Sequence, residues 1–218
     1  MNVVIAGAGR LGSTVAHVLA VAHNTITVID PDEERLDALA TQLRARTLPG
    51  DACEPSALEE AGTLNADLLV AATGEDEDNL VISLLAKTQF HVPRVAARIN
   101  DPDNAWLFDS EWGVDVAVPS ATPLVSLIEE ATGARDTVAL LRLARAGVNL
   151  IETTIGENSR AAGRSLTEIA LPPGSVVAAV LRAGTPAVPG SDVRLEPGDE
   201  VLIVSEGATE QDVHGLFQ

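Results

Sequence analysis

Aromatic side chains and lysine are scarce in this chain. Phe, Trp and Tyr make up 2% of its 218 residues, and there is no tyrosine. Lys87 is the only lysine, so arginine supplies nearly all of the 14 basic residues, which face 32 acidic ones. The resulting formal net charge of −18 repels nucleic acids and anionic lipid headgroups. Because few rings are present on which bases could stack, we expect no nucleic-acid partner.

Cysteine and long apolar runs are lacking as well. Cys53 is the only cysteine, which rules out an intramolecular disulfide and is typical of a reducing compartment. No apolar stretch approaches the roughly 20 residues that span a bilayer. The first apolar run follows Met1-Asn2 directly, so we expect no signal peptide and a cytoplasmic location.

The rest of the composition is that of a globular protein. Hydrophobic residues make up 46% of the chain and charged residues 21%. A chain of this length can form one large domain or two small ones, each with its own core.

The first thirty residues carry the most informative pattern. A short apolar run at residues 3–6 precedes a helical pattern, and a second apolar run at residues 25–29 ends at Asp30. Between the first run and the helix stands the sequence Gly7-Ala8-Gly9-Arg10-Leu11-Gly12. The order strand, Gly-x-Gly-x-x-Gly, helix, strand, acid predicts a dinucleotide-binding unit.

Each position of this motif has a physical reason. Gly7 permits a tight turn, Gly9 lets the backbone approach a diphosphate, and Gly12 lets the helix pack against the sheet. The first helical turn offers unpaired N–H groups and the positive end of its dipole to an anion. Asp30 stands where such folds place a carboxylate that accepts from ribose hydroxyls and repels a 2′-phosphate. We therefore expect an adenine nucleotide or dinucleotide, with NAD favoured over NADP; a glycine turn without a ligand is the alternative.

Four more apolar runs alternate with helical patterns up to residue 119. They predict strands at residues 47–49, 66–72, 95–100 and 114–119. The run at residues 66–72 is nearly continuous, which is typical of a strand buried on both faces. Six strands that alternate with helices predict an α/β fold, a Rossmann-type doubly wound parallel sheet.

Residues that follow the third and fourth strands are candidates for the binding pocket. Asp51 and Ala52 would border an adenine, although Asp51 is equally well placed to cap the next helix. Thr73 and Gly74 follow the fourth strand, at the edge where doubly wound sheets bind their ligands.

The fifth strand contributes one charged residue. Arg98 near its carboxyl end could reach phosphate or ribose oxygens, or else pair with Asp101 or Asp103. The acidic run at residues 75–78 precedes a helix predicted at residues 80–88. It resembles a metal site superficially, but acids are favourable in the first turn of a helix without any metal. We expect no metal there.

The pattern changes after residue 136 to that of a small α+β domain. Its strands are predicted at residues 138–143, 148–155, 175–182, 193–195 and 200–205, with a turn-rich link at 186–189 and helices at 164–170 and 210–217. We therefore expect a nucleotide-binding domain at residues 1–119, a crossover helix and linker at 120–136, and a C-terminal domain at 137–218.

The motifs together resemble those of the regulator-of-potassium-conductance (RCK or KTN) family of the TrkA and KtrA type. The first half matches its N-terminal domain through the glycine motif, Asp30, Gly50-Asp51-Ala52, residues 73–80 and residues 97–99. The second half is similar to the companion C-terminal domain through residues 163–166, 172–174, 180–184 and 195–202. The two matches cover nearly the whole chain, in the right order.

The resemblance implies a cytoplasmic regulatory subunit of a potassium uptake system. Such subunits form homo-oligomers, in which dimers build a tetrameric or octameric ring, and gate a membrane-embedded transporter or channel at the inner face of the membrane. They bind NAD(H) or ATP/ADP in the glycine-loop cleft. Carried over by motif, Arg10 and Arg98 would contact phosphate, Asp30 would contact ribose, and the pocket would be lined by Asp51, Ala52, Thr73 and Gly74.

The resemblance also points to a second ligand. Some relatives bind cyclic di-AMP at a dimer interface of the C-terminal domain, and Arg182 matches an arginine used there. Val188 departs from the pattern, because some relatives carry a polar residue at that position.

The rival hypothesis is an NAD-dependent oxidoreductase. Such an enzyme needs a general acid–base residue near the nicotinamide, usually His, Lys or Tyr. The candidates in the first half are His17, His23, His91 and Lys87, and their helix and loop positions favour ordinary solvation. We therefore predict a protein that is not an enzyme.

Overall fold

The computed structural model of the chain describes residues 1–143, 147–191 and 193–218. Its contacts divide the chain into two compact units, Met1–Ala121 and Thr122–Gln218.

The first unit is a six-stranded parallel sheet with the strand order β3-β2-β1-β4-β5-β6. This order and the parallel pairing confirm the predicted doubly wound fold, whose strand order reverses between β1 and β4. The elements are β1 (Asn2–Ala6), α1 (Arg10–Val21), β2 (Thr25–Asp30), α2 (Glu33–Gln42), β3 (Arg46–Pro49), α3 (Pro55–Glu60), β4 (Leu68–Ala71), α4 (Asp76–Thr88), β5 (Arg94–Ile99) and β6 (Val116–Pro119).

Helices cover both faces of this sheet. On one face Val3 and Val28 pack with Leu36 of α2, and on the other Leu69 packs with Leu58 of α3. The central strands are therefore buried on both sides, which explains their near-continuous apolar sequences.

Helix α4 begins inside the acidic run, at Asp76 rather than at the predicted residue 80. Asp76, Glu77 and Asp78 occupy its first turn. Negative charges there oppose the positive end of the helix dipole, so the run extends the helix instead of preceding it.

The second unit is a five-stranded antiparallel sheet with the order β10-β9-β11-β8-β7 and two helices. Its core contains Ile151, Val201 and Ile203 of the sheet and Val213 and Phe217 of the last helix, which confirms the α+β class. The elements are α5 (Thr122–Thr132), β7 (Thr137–Leu143), β8 (Val148–Thr154), β9 (Ser175–Arg182), β10 (Thr185–Ala187), β11 (Glu200–Ser205) and α6 (Glu210–Phe217).

Three details of this unit differ from the sequence prediction. The helix predicted at residues 164–170 is a short 3-10 turn at Leu166–Glu168. The segment predicted as a link overlaps β10 at residues 186 and 187. This strand forms a hairpin with β9 because Ala183 (φ 50°) and Gly184 (φ 73°) adopt the left-handed backbone of a tight turn. The predicted strand at residues 193–195 is instead a single bridge between Arg194 and Ser165 within the described residues.

Within the described part of the chain, no helix combines the length and the apolarity that a membrane crossing requires.

Candidate nucleotide-binding site

A cleft of about 380 Å³ opens at the carboxyl ends of the parallel strands. This volume falls within the roughly 300–1,000 Å³ of small-molecule sites. The cleft lies where the strand order reverses, which is the ligand position of doubly wound sheets.

The glycine loop forms one wall of the cleft. Gly7 has φ 103°, and a Cβ atom there would lie 2.7 Å from the carbonyl oxygen of Ala72, so the loop passes very close to the end of β4. Gly9 lines the cleft, and a Cβ atom there would meet nothing within 4 Å. Gly7 and Gly12 therefore shape the loop, whereas Gly9 leaves open space for a ligand.

The glycine loop leads directly into the first turn of α1. The first helical bond runs from the Ser13 N–H to the Gly9 carbonyl oxygen at 2.9 Å. The N–H groups of residues 10–12 come before this bond and therefore have no acceptor within the helix. Ala8, Leu11 and Gly12 build the loop and the helix without lining the cleft, and the side chain of Arg10 lines a neighbouring groove that shares Gly9 with it.

Asp30 lies at the end of β2 and is 4% exposed. Its Oδ2 accepts from the Ala8 N–H at 2.6 Å, and its Oδ1 accepts from the Asp32 N–H at 2.9 Å. A carboxylate has about four lone-pair sites, so two protein donors leave it able to accept from a ribose hydroxyl. Arg35, which the sequence did not single out as a site residue, lies 4.0 Å from Oδ2 and pairs with Asp32 at 3.0 Å.

Asp51, Ala52 and Cys53 line the cleft after β3. The carboxylate of Asp51 accepts from the Cys53 N–H at 2.8 Å and so closes a turn, while the residue that caps α3 is Glu54. Burial raises the pKa of the Cys53 thiol to about 12, with further contributions from Asp78 and Asp51. Cys53 is therefore a protonated, unreactive wall residue at neutral pH.

Thr73 and Gly74 line the cleft at the end of β4, next to the glycine loop. The Thr73 N–H donates to Oδ1 of Asn79 at 2.9 Å, and Nδ2 of Asn79 donates to the carbonyl oxygen of Arg98 at 3.0 Å. The sequence alone did not identify Asn79 as a site residue. The one available signal was that this polar residue directly precedes the apolar residues of α4.

Arg98 completes the cleft from β5. Its Nε atom is buried and makes no hydrogen bond within the described residues, and among these no carboxylate pairs with its guanidinium. The alternative pairing with Asp101 or Asp103 is therefore not formed; the Asp101 carboxylate accepts from the Asp103 N–H instead. Burial of a hydrogen-bond donor without a partner costs free energy. The side chain of Arg98 is therefore suited to bind an anionic group in the cleft.

Comparison with known proteins identifies both halves of the chain. Residues 3–120 match the TrkA-N domain and residues 150–218 match the TrkA-C domain. The Trk system potassium uptake protein TrkA of Mycobacterium tuberculosis is 43% identical over 217 residues, which span 100% of this chain and 98% of that protein. The chain belongs to the TrkA family. The relatives found are named as potassium uptake proteins and not as enzymes.

Solved structures share the fold of this TrkA family member. The GsuK channel bound to NAD has a TM-score of 0.59 at 16% identity over 99% of this chain and 39% of that chain. Its form bound to ADP has a TM-score of 0.50 at 18% identity over 57% and 32%. The AMP-bound Kef CTD of Shewanella denitrificans has a TM-score of 0.51 at 25% identity over 62% and 81%. The chain thus spans less than half of the GsuK channel's length.

The acidic run of this TrkA family member has a structural role at Asp76. Its carboxylate accepts from the N–H groups of Asn100 (2.6 Å) and Asp101 (3.0 Å) and from the side-chain amides of Asn100 and Asn104. Burial raises the pKa of Asp76, but these hydrogen bonds outweigh it, and the net effect is a lowered pKa. Among the described residues, no cluster of His, Cys, Asp and Glu suits a metal ion.

The residues considered for acid–base catalysis do not line the cleft. His17 bonds to the carbonyl oxygen of Ser13 at 2.8 Å, and Lys87 pairs with Asp115 at 2.6 Å. His23 and His91 occupy loops with φ of 61° and 53°.

Arg182, matched by motif to a cyclic di-AMP contact, is already paired in the C-terminal unit. Its Nε and Nη2 donate to the two oxygens of Asp199, each at 2.8 Å, and its Nη1 donates to Glu196 at 2.7 Å. Asp199 is 1% exposed, so any ligand that binds Arg182 must compete with a buried carboxylate. The cyclic di-AMP site stays a prediction.

Proposed function

We propose that this chain is a cytoplasmic regulatory subunit of a potassium uptake system, and that NAD(H) or ATP/ADP in its cleft controls transport. The observation that carries the nucleotide part is that Arg98, whose buried Nε has no partner among the described residues, lines the same cleft as Gly9, which leaves open space there. The potassium part is supported by the full-length similarity to a Trk potassium uptake protein.

The charges of the cleft suit the two ends of an adenosine phosphate. Asp30 accepts from the ribose hydroxyls, and Asp51 and Ala52 border the adenine. At the other end Arg98, Gly9 and the first turn of α1 face the phosphates, because a helix N-terminus and a guanidinium both stabilise negative charge. Thr73 and Gly74 line the same end of the cleft, beside the glycine loop.

NAD and ATP/ADP share the part of the ligand that these residues contact. The related solved structures carry NAD, ADP and AMP, which have an adenosine phosphate in common. The cleft therefore recognises that common part, and the ligands differ in what extends beyond Arg98.

Control of transport follows from differential binding. A nucleotide shifts an assembly between two arrangements only by its difference in affinity for them. In our proposal dimers of this chain build a tetrameric or octameric ring that moves a membrane-embedded potassium transporter or channel at the inner face of the membrane. Self-association is supported by the exposed apolar side chains of α5, with Leu124 and Ile128 each 62% exposed.

Potassium uptake by host cells that lack their own copy of the gene tests the proposal. Expression of the native chain should restore uptake, and Gly9→Ala should not, since its methyl group occupies the space of the phosphates. Gly207→Ala is the matched control, because a Cβ atom there also meets nothing within 4 Å and lies outside the cleft. Uptake that is unaffected by deletion of the gene would overturn the proposal.

A further inference from the structure

One buried side chain joins two walls of the cleft without lining it. Asn79 is 0% exposed and lies in α4, below the cleft surface. Its Oδ1 accepts from the Thr73 N–H at 2.9 Å, and its Nδ2 donates to the carbonyl oxygen of Arg98 at 3.0 Å. Thr73 follows β4 and Arg98 belongs to β5, so one amide group connects the ends of two neighbouring strands.

The hydrogen bonds of Asn79 satisfy both ends of its amide. Oδ1 also lies 2.9 Å from Oγ1 of Thr73, and Nδ2 also lies 3.5 Å from the Thr73 carbonyl oxygen. A fully bonded buried amide has a single orientation, because any rotation would leave polar groups unpaired in a low-dielectric interior. Asn79 therefore restrains the Thr73 backbone and the Arg98 backbone relative to each other.

The restrained groups all belong to the phosphate end of the cleft. Arg98 carries the unpaired Nε, and Thr73 lies at the end of β4 beside the glycine loop, where a Cβ atom on Gly7 would lie 3.1 Å from the Thr73 nitrogen. The adenosine end is built separately, from Asp30 on β2 and Asp51 after β3, and Asn79 makes no hydrogen bond to either. A substitution of Asn79 should therefore weaken binding of the phosphates and leave binding of the nucleoside unchanged.

We propose that Asn79 is a positioning residue of the nucleotide site, which aligns Arg98 and the Thr73–Gly74 turn with the phosphates. This inference rests on the proposed nucleotide binding and names a residue that the glycine motif does not include. Asn79 acts through Arg98 and not by touching the ligand.

The test compares the dissociation constants of ADP and adenosine for the full chain and three variants. Asn79→Ala removes both restraints, and Asn79→Asp keeps the volume but loses the donor to the Arg98 carbonyl. Ser83→Ala is the matched control, because Ser83 is equally buried on the same helix and donates to the Asn79 carbonyl oxygen at 2.6 Å. Thermal melts of each variant verify that the protein is folded at the temperature of the titration.

We expect both Asn79 variants to weaken ADP binding by about tenfold or more, the effect of losing one well-aligned charged hydrogen bond. Adenosine binding should stay within about twofold of the native chain. Ser83→Ala should change neither. In an Arg98→Ala background, Asn79→Ala should have a smaller further effect than in the native chain, because the group it positions is gone.

Three results would overturn the inference. Equal losses for ADP and adenosine would make Asn79 a general structural residue, and unchanged ADP binding would make it a bystander. Full additivity with Arg98→Ala would exclude action through Arg98. If the native chain binds none of ADP, ATP, NAD and NADH, the proposed function itself fails, and this outcome is distinct from the other three.

Discussion

A Cβ atom on Gly12 would lie 1.8 Å from the carbonyl oxygen of Gly7, because α1 packs directly onto the turn that precedes it. Gly12→Ala must therefore displace the helix or the turn. We expect it to destabilise the first unit by about 3 kcal/mol or more, as severe overpacking does.

Gly9→Ala separates binding from folding at the same loop. The backbone of Gly9 (φ −67°, ψ −173°) suits any residue, and its Cβ position is open. Chemical denaturation should give a free energy of unfolding within about 0.5 kcal/mol of the native chain, while nucleotide binding is lost. Similar denaturation curves for Gly12→Ala and Gly9→Ala would contradict this division of roles.

Asp30 should reject a phosphate on the ribose 2′ position, because the buried carboxylate would face a second anion. The native chain should bind ADP more tightly than its 2′-phosphorylated analogue. Asp30→Asn should reduce this preference by about tenfold or more, since the repulsion disappears and Arg35 lies 4.0 Å away to pair with the phosphate. Asp37→Asn, an exposed change on α2, the helix that carries Arg35, is the control for calorimetry. Equal binding of the two compounds by the native chain would refute the role of Asp30.

Cys53 should react slowly with alkylating reagents in the folded protein. With a thiol pKa of about 12, its thiolate fraction at pH 8 is about a thousandfold below that of an ordinary cysteine. Iodoacetamide labelling followed by mass spectrometry should be slow, accelerate as the pH rises toward 11, and become fast in urea. Rapid labelling of the native protein at pH 7 would show that the cleft does not bury the thiol as described.

The Arg182–Asp199 pair should make the C-terminal unit sensitive to acid. Hydrogen bonds from Arg182, opposed by burial, lower the pKa of Asp199. Because the native pKa lies below the unfolded value, the stabilisation is present above about pH 4 and is lost as the pH falls through the native pKa. Thermal melts between pH 7 and pH 2 should show this loss, and Asp199→Asn should be less stable at pH 7 with a flatter pH profile. Glu157→Gln, an exposed change, should keep the native profile; an unchanged profile for Asp199→Asn would count against the pair.

The sequence predicted the fold well because its strongest signals are local. The glycine motif, the apolar runs and Asp30 at the end of β2 each follow from neighbouring residues, and they suffice for a doubly wound sheet. The β9–β10 hairpin was not predicted, because Pro186 judged from its neighbours alone suggests a turn. On the edge strand β10, however, a proline is tolerated.

The details of the site depend on contacts that sequence spacing does not reveal. The Asn79–Arg98 bond joins helix α4 to strand β5, residues that are nineteen positions apart in the sequence, so it depends on how the helix packs against the sheet. Arg10 lines the neighbouring groove and not the cleft, and its phosphate contact stays a prediction. Which side chains enter a cleft is decided by tertiary packing.

Calorimetric titration of NADH, NAD, ATP and ADP into the purified chain tests the central claim most directly. We expect at least one of these nucleotides to bind with one site per chain, and Arg98→Met to weaken that binding by about tenfold or more while the protein stays folded. If none of the four binds, or if Arg98→Met binds as tightly as the native chain, the cleft is not the nucleotide site described above.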